Sequence, residues 1–147
     1  MFTAQCFIRK NTPELREKLI QLGYKNNPLN STDYRKYGII CRNNHFVGVP
    51  QNDEEFSIDE YLNKFNYIIN CENNEELFLA LAALRDDTDK DQWFTNGTDW
   101  CIQREIKNYD DTITKSLEFS YLPTTIDYVG NSYHKATIEE LIEYFKK

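Results

Sequence analysis

Eight residues, Leu77 to Leu84, read LFLALAAL, and no helical or strand period gives that run a polar side. Asn73-Asn74-Glu75-Glu76 stand immediately before it, a capping group followed by acids suited to the positive end of a helix dipole. The run is therefore read as a helix. A helix without a polar face is enclosed by its own chain, or it lends one face to a partner. The first reading makes it the central core helix, and the second makes it a homodimer seam. Enclosure needs apolar surface elsewhere. The chain's 147 residues, 40% hydrophobic and 14% aromatic, supply it and set it apart from disordered sequences. One domain over 1–147 is expected.

The surrounding elements follow from short signals. Phe2 to Arg9 reads as a strand. Asn11-Thr12-Pro13-Glu14 then opens a helix with a cap, a proline in the first turn and an early acid. Leu15, Leu19 and Leu22 form its buried stripe, and Gly23 closes it where a left-handed residue is needed. After a polar loop over Lys25 to Lys36, YGIICR and HFVGV bracket Asn43-Asn44. A two-residue turn there pairs Arg42 with His45, Cys41 with Phe46 and Ile40 with Val47. His45 is then a surface residue beside Arg42. Gln51 to Glu55 reads as a solvated turn.

Ser57-Ile-Asp-Glu60 and Thr137-Ile-Glu-Glu140 are both capping boxes. Each precedes an apolar stripe: Ile58, Tyr61, Leu62 and Phe65 in the first, Ile138, Leu141, Ile142 and Phe145 in the second. Shared helix-start rules explain that similarity better than duplication does. Tyr67 to Cys71 and Trp100 to Ile106 read as strands, Thr112 to Tyr121 as β-like, Ile126 to Val129 as one more short strand, and Asn131 to Lys135 as a loop carrying His134. Adjacent hairpins among helices predict an α+β fold, a mainly antiparallel sheet with three or four helices packed on it.

The stretch LRDDTDKDQWFTNGTDW, residues 84–100, is the most unusual. Asp87, Asp89 and Asp91 alternate as in the first half of a calcium loop. That loop also needs glycine at its sixth position and glutamate at its twelfth, where this chain has Gln92 and Thr98. An EF-hand is excluded. A weaker divalent-metal site at Asp87, Asp89 and Asp91 is the remaining metal reading. Solvated loop charges are the simpler one, with Arg85 and Lys90 offsetting Asp86 and Asp87 at the negative end of the helix. Asn96-Gly97, read as a type I′ turn, pairs Thr95 with Thr98, Phe94 with Asp99 and Trp93 with Trp100. The two indoles then share a side with Ile102 and Ile106, while Phe94, Asp99, Cys101, Gln103 and Glu105 make the other, more polar side. Trp93, Trp100, Asp86 and Asp87 are the interaction candidates.

Composition narrows function mostly by exclusion. The formal net charge is −7, and the 17 basic residues are scattered, Arg35-Lys36 being the nearest approach to a cluster, so nucleic acid is not an expected partner. Cys6, Cys41, Cys71 and Cys101 are widely spaced, each within an apolar or β-like run, and read as buried free thiols. The polar start and the lack of long apolar runs predict a cytoplasmic protein without membrane contact. There is no GxSxG, P-loop, GxGxxG or HExxH. No catalytic residue and no cofactor are expected.

The strings CFIRKNTPELREKL and ELFLALAALRDDTDKDQWF resemble those of small phage and prophage proteins of unknown function. The resemblance covers about a third of the chain and carries no site residues. It implies a small intracellular accessory protein that acts by binding. The expectation is a non-enzymatic binding or interaction protein, with a protein partner or a second copy as its target. The alternative is an enzyme or ligand-binding domain with a site dispersed along the sequence.

Overall fold

The computed structural model describes residues 4–26, 38–49, 52–53, 56–107, 113–119 and 133–146. In chain order the elements are β1 (Cys6–Ile8), α1 (Pro13–Gln21), β2 (Lys25–Asn26), β3 (Gly38–Arg42), β4 (His45–Val49), β5 (Asn52–Asp53), β6 (Phe56–Ser57) and α2 (Ile58–Lys64). They continue with β7 (Ile69–Asn70), α3 (Glu75–Ala83), β8 (Trp93–Thr95), β9 (Trp100–Lys107), β10 (Ile113–Phe119), β11 (His134–Lys135) and α4 (Ile138–Phe145). A mixed sheet runs β2-β4-β3-β1-β7, a second sheet β10-β9-β8-β11 is antiparallel throughout, and β5-β6 form a minimal ribbon. The fold is α+β and mainly antiparallel, as expected, but it has two principal sheets instead of one.

Local chemistry explains the first unit. Thr12 caps α1 by accepting the Leu15 amide on its hydroxyl at 3.1 Å, and Pro13 starts the first turn. At the other end Gly23 takes φ +102°. Its N–H donates to the Ile20 carbonyl and the Tyr24 N–H to the Leu19 carbonyl, the two bonds of a Schellman ending. The β3–β4 hairpin has the expected register, Arg42↔His45, Cys41↔Phe46 and Ile40↔Val47. Asn43 and Asn44 both take positive φ, 48° and 66°, which a type I′ turn demands. His45 is exposed, with Nδ1 2.8 Å from the Asn43 carbonyl oxygen.

At the centre of the mixed sheet β1 from Cys6 to Ile8 and β3 from Gly38 to Cys41 are apolar at every position because both faces are covered. Cys6, Ile8, Ile39 and Cys41 join the large cluster containing α1 and α3. Phe7 and Ile40 point the other way and pack with Ile68 against Tyr61, Leu62 and Phe65 around α2. Gly38 permits this layering: a Cβ there would come within 2.8 Å of the Phe7 ring and 3.0 Å of the Ile8 carbonyl oxygen. All four cysteines are buried and free. Burial raises the thiol pKa of Cys6, Cys71 and Cys101, which favours the protonated thiol over the nucleophilic thiolate.

The all-apolar helix is enclosed by its own chain. Leu77, Phe78, Ala80, Leu81, Ala82, Ala83 and Leu84 are buried, and all of these but Ala83 belong to one cluster with residues of β1, β3, α1, β9 and α4. Leu79 alone of the run is only partly covered, so little of LFLALAAL is left to form a dimer seam.

Several expectations need correction. The helix ends at Ala83 with Leu84 extended, so Asp86 and Asp87 lie beyond its last turn. His134 and Lys135 form a short strand, not a loop, because β8 offers them an open edge. Gln51 to Glu55 is not wholly a turn, since Asn52–Asp53 pair with Phe56–Ser57. Lys25–Asn26 pair parallel to β4 instead of belonging to a loop. Ile126 to Val129 and the Ser57 side chain lie outside the described residues. Among the described residues no helix is long and apolar enough to cross a membrane.

Burial separates two sites of similar chemistry. Truncating fully buried Phe78 to alanine is expected to lower the unfolding free energy by about 3–5 kcal/mol, since the surrounding helices and sheet cannot collapse into the space. Ile20→Ala, at a position 51% exposed, is expected to cost less than about 0.5 kcal/mol. Urea denaturation of the two variants measures the difference.

Candidate functional site

The tryptophan hairpin departs from the two-residue turn. The observed pairs are Thr95↔Trp100, Phe94↔Cys101 and Trp93↔Ile102, so the loop is four residues long. Gly97 has positive φ, but Asn96 does not, and a type I′ turn needs both. Asn96 uses its side chain instead: Oδ1 accepts the amides of Thr98 at 3.0 Å and Asp99 at 2.8 Å. The Thr95 hydroxyl donates to the Asp99 carbonyl and accepts the Gly97 amide. The register moves by two positions, an even shift that leaves every side chain on its expected face. Trp93 and Trp100 therefore still meet, now diagonally, with ring centroids 6.5 Å apart. The side expected to be polar is buried at Phe94, Cys101 and Gln103.

The two indoles have different fates. Trp100 is buried and stacks on Tyr144 of α4 at 4.2 Å, with the rings 16° from parallel. Trp93 is half-buried and meets Phe145 edge-on at 5.3 Å and Tyr144 at 6.2 Å. Such pairs favour tilted and offset geometries because ring faces are negative and edges positive.

Trp93, Tyr144, Phe145 and Ile102 form one wall of a cleft of about 840 Å³. Lys18 and Gln21 of α1, Leu22 just beyond it, and Lys90 and Asp91 also line the cleft. The floor is one face of α3, Glu76, Leu79, Ala80 and Ala83, residues at the i, i+3, i+4, i+7 spacing. At 1.5 Å per residue that floor is about 10 Å long. A smaller chamber of about 270 Å³ shares Gln21, Leu22, Ala83, Lys90 and Asp91 with the first and adds Gly23, Arg85 and Thr88.

The segment from Leu84 to Gln92 shapes this part of the cleft. Its organiser is Gln92, 1% exposed. Gln92 Nε2 donates to the carbonyl oxygens of Ala83 and Lys90, and its Oε1 accepts the Arg85 amide at 3.0 Å. One side chain thus satisfies a carbonyl left open at the end of α3 and the amide just beyond it. Tyr24 does the same for Ala82, donating its hydroxyl to that carbonyl at 2.7 Å. Lys135 donates to the carbonyls of Arg85 at 3.0 Å and Thr88 at 2.7 Å.

The three alternating aspartates are directed to three places. Asp87 makes a two-pronged pair with Arg85, at 2.9 and 2.8 Å, and the guanidinium holds its carboxyl below the usual aspartate range. Asp89 lies 3.5 Å from Lys135 Nζ. Asp91 takes φ +59°, donates its amide to the Gln103 carbonyl at 2.7 Å and lines the cleft. Among the described residues no group of three or more His, Cys, Asp or Glu is placed to hold a metal ion. Asp86 is exposed. Of the residues singled out in the sequence, Trp93 and Asp91 reach the cleft, while Trp100 lies beneath Tyr144 and Asp86, Asp87 and Asp89 are elsewhere.

Leu79, Lys18, Leu22, Tyr144 and Phe145 were not sequence candidates. Glu76 was a clue: it shares a helix face with Leu79, Ala80 and Ala83, and a charge on that face leaves it uncovered.

Beside the cleft, Glu75 accepts from Lys10 at 2.6 Å and Lys18 at 2.8 Å, and these bonds hold its carboxyl below the ordinary glutamate value. A depressed folded pKa contributes stability above the unfolded value, and that contribution is lost as the pH falls through the folded one. Acidification below about pH 4.3 is therefore expected to destabilise the native chain more than its Glu75→Gln variant, read by thermal melts across pH. Gln92→Leu keeps the bulk but leaves the Ala83 carbonyl and the Arg85 amide unpaired, an expected cost of about 1–3 kcal/mol in urea denaturation. Set against models of protein families, against curated proteins and against solved structures, the chain has no match in any of the three.

Proposed function

We propose that this chain is a small cytoplasmic binding protein without catalytic chemistry, of the accessory type its phage-like strings resemble, and that it binds in the α3 cleft. The carrying observation is the cleft itself. Its volume of about 840 Å³ lies within the range of small-molecule sites, and it combines the aromatic side chains Trp93, Tyr144 and Phe145 and the apolar Leu79, Ala80 and Ala83 with the polar Lys18, Gln21, Glu76, Lys90 and Asp91.

The lining supports binding over catalysis: among the described residues that border the cleft there is no serine, threonine, cysteine or histidine to act as a nucleophile or an imidazole base. Trp93 supplies the reporter, since a ligand on this wall changes its emission.

Titration with N-phenyl-1-naphthylamine, an uncharged apolar fluorophore, tests the reading. One equivalent is expected to bind with a dissociation constant of about 10 µM, about −7 kcal/mol, accompanied by energy transfer from tryptophan. Leu79→Gln, at a partly covered position, is expected to weaken it at least tenfold while the far-UV circular dichroism stays native. Absence of saturable binding to the folded chain, or binding unchanged in both Leu79→Gln and Ala83→Leu, would reject the cleft as the site.

A further inference from the structure

Lys135 does not line the cleft, yet its ammonium reaches the segment that walls the smaller chamber. Nζ donates to the carbonyl oxygens of Arg85 at 3.0 Å and Thr88 at 2.7 Å, and it lies 3.5 Å from the Asp89 carboxylate. Resting on the binding role proposed above, we infer that Lys135 is a positioning residue of the ligand site: it presets the rim of the smaller chamber, residues 85–91, before a ligand arrives.

Arg85, Thr88, Lys90 and Asp91 of that chamber's lining all come from this one segment, which follows α3 and precedes β8. Such a segment has no helix or sheet ladder to fix it, so its backbone groups must be held from elsewhere. The bonds that do so form a chain. Lys135 holds the Arg85 and Thr88 carbonyls, and the Thr88 hydroxyl accepts the Lys90 amide at 3.1 Å. Gln92 closes the base, accepting the Arg85 amide and donating to the Lys90 carbonyl. The Asp91 amide donates to the Gln103 carbonyl at 2.7 Å. Each of the four lining residues is thus fixed through its backbone, two of them by Lys135.

The anchor of Lys135 is the strand that carries the indole. Lys135 pairs with Phe94 across β11 and β8, and the next residue, Ala136, donates its amide to the Trp93 carbonyl at 2.8 Å. Lys135-Ala136 therefore ties the rim of the smaller chamber to the aromatic wall of the larger one. An ammonium has three donors, and three oxygens face this one. Hydrogen bonds from a charged donor are roughly twice as strong as neutral ones, and here the side chain is only 25% exposed. A rim set in advance spares the ligand the cost of ordering it. Without the ammonium the two carbonyls turn to water, and binding must order the rim.

Lys135→Met keeps the stem and removes the ammonium. Titration with N-phenyl-1-naphthylamine is expected to show an affinity weaker by about fivefold or more, and amide hydrogen exchange is expected to quicken within residues 84–92 and not across the chain. Lys135→Gln, which keeps one donor group on a shorter stem, is expected to fall between, and it carries the test if the methionine variant does not fold. Arg9→Gln breaks the 2.8 Å pair with Asp59 on the α2 side of the mixed sheet and is expected to bind as the native chain does. A probe bound as tightly by both Lys135 variants as by the native chain overturns the inference and leaves the cleft as a binding site. Exchange that quickens throughout the chain, with Arg9→Gln losing as much affinity, overturns it too, since Lys135 then acts through general stability. Absence of saturable binding to the native chain overturns the binding role itself.

Discussion

The structure depends on burying a helix that has no polar side. α3 must exclude water along nearly its whole circumference, and no single sheet or helix can do that. The chain encloses it with the inner face of the mixed sheet, with α1, and with α4, which packs on Trp93 and Trp100. Two helices laid on a third leave a furrow between them unless another side chain fills it. Here the furrow over Leu79, Ala80 and Ala83 is the cleft, so the element that makes the core also makes the candidate site.

Enclosing the side chains does not satisfy the helix ends, whose backbone groups must find partners in the same dry surroundings. Asn74 serves two helices at once. Its Oδ1 accepts the Leu77 amide, and its Nδ2 donates to the Phe145 carbonyl at the end of α4. At the opposite end Tyr24 and Gln92 bond the carbonyls of Ala82 and Ala83, one from after α1 and the other from before β8. These bonds tie α1, α4 and the second sheet to the two ends of α3. The cleft is bounded by the same elements, so its walls are held by the polar groups that complete the helix.

Legibility followed the range of the interaction. The β3–β4 register could be read because Asn43-Asn44 set the turn locally, and the Thr137-Glu140 capping box because its two bonds span three residues. Trp93 and Trp100 were placed on one side by alternation alone, which survived a two-position error in register. The error arose because Asn96 has two options, a left-handed backbone or a side chain that accepts amides, and the Thr95 hydroxyl favoured the second. Asp87, Asp89 and Asp91 were legible as a group but not as three destinations, since Arg85 is a neighbour in sequence, Lys135 is remote, and the Gln103 carbonyl belongs to another strand.

The sequence by itself determined the helices and the longer strands, the caps at Thr12, Asn74 and Thr137, the alternation of faces and the need to enclose Leu77 to Leu84. Each depends on dihedral preferences and periodicities that act within a few residues. Only the tertiary structure decided that two sheets share the work, that Leu79 remains partly open, and that Tyr144, Trp93 and Lys18 border one space. Those outcomes depend on side-chain volumes meeting across long stretches of chain, where a gap is left by what fails to fill it and no local pattern records it.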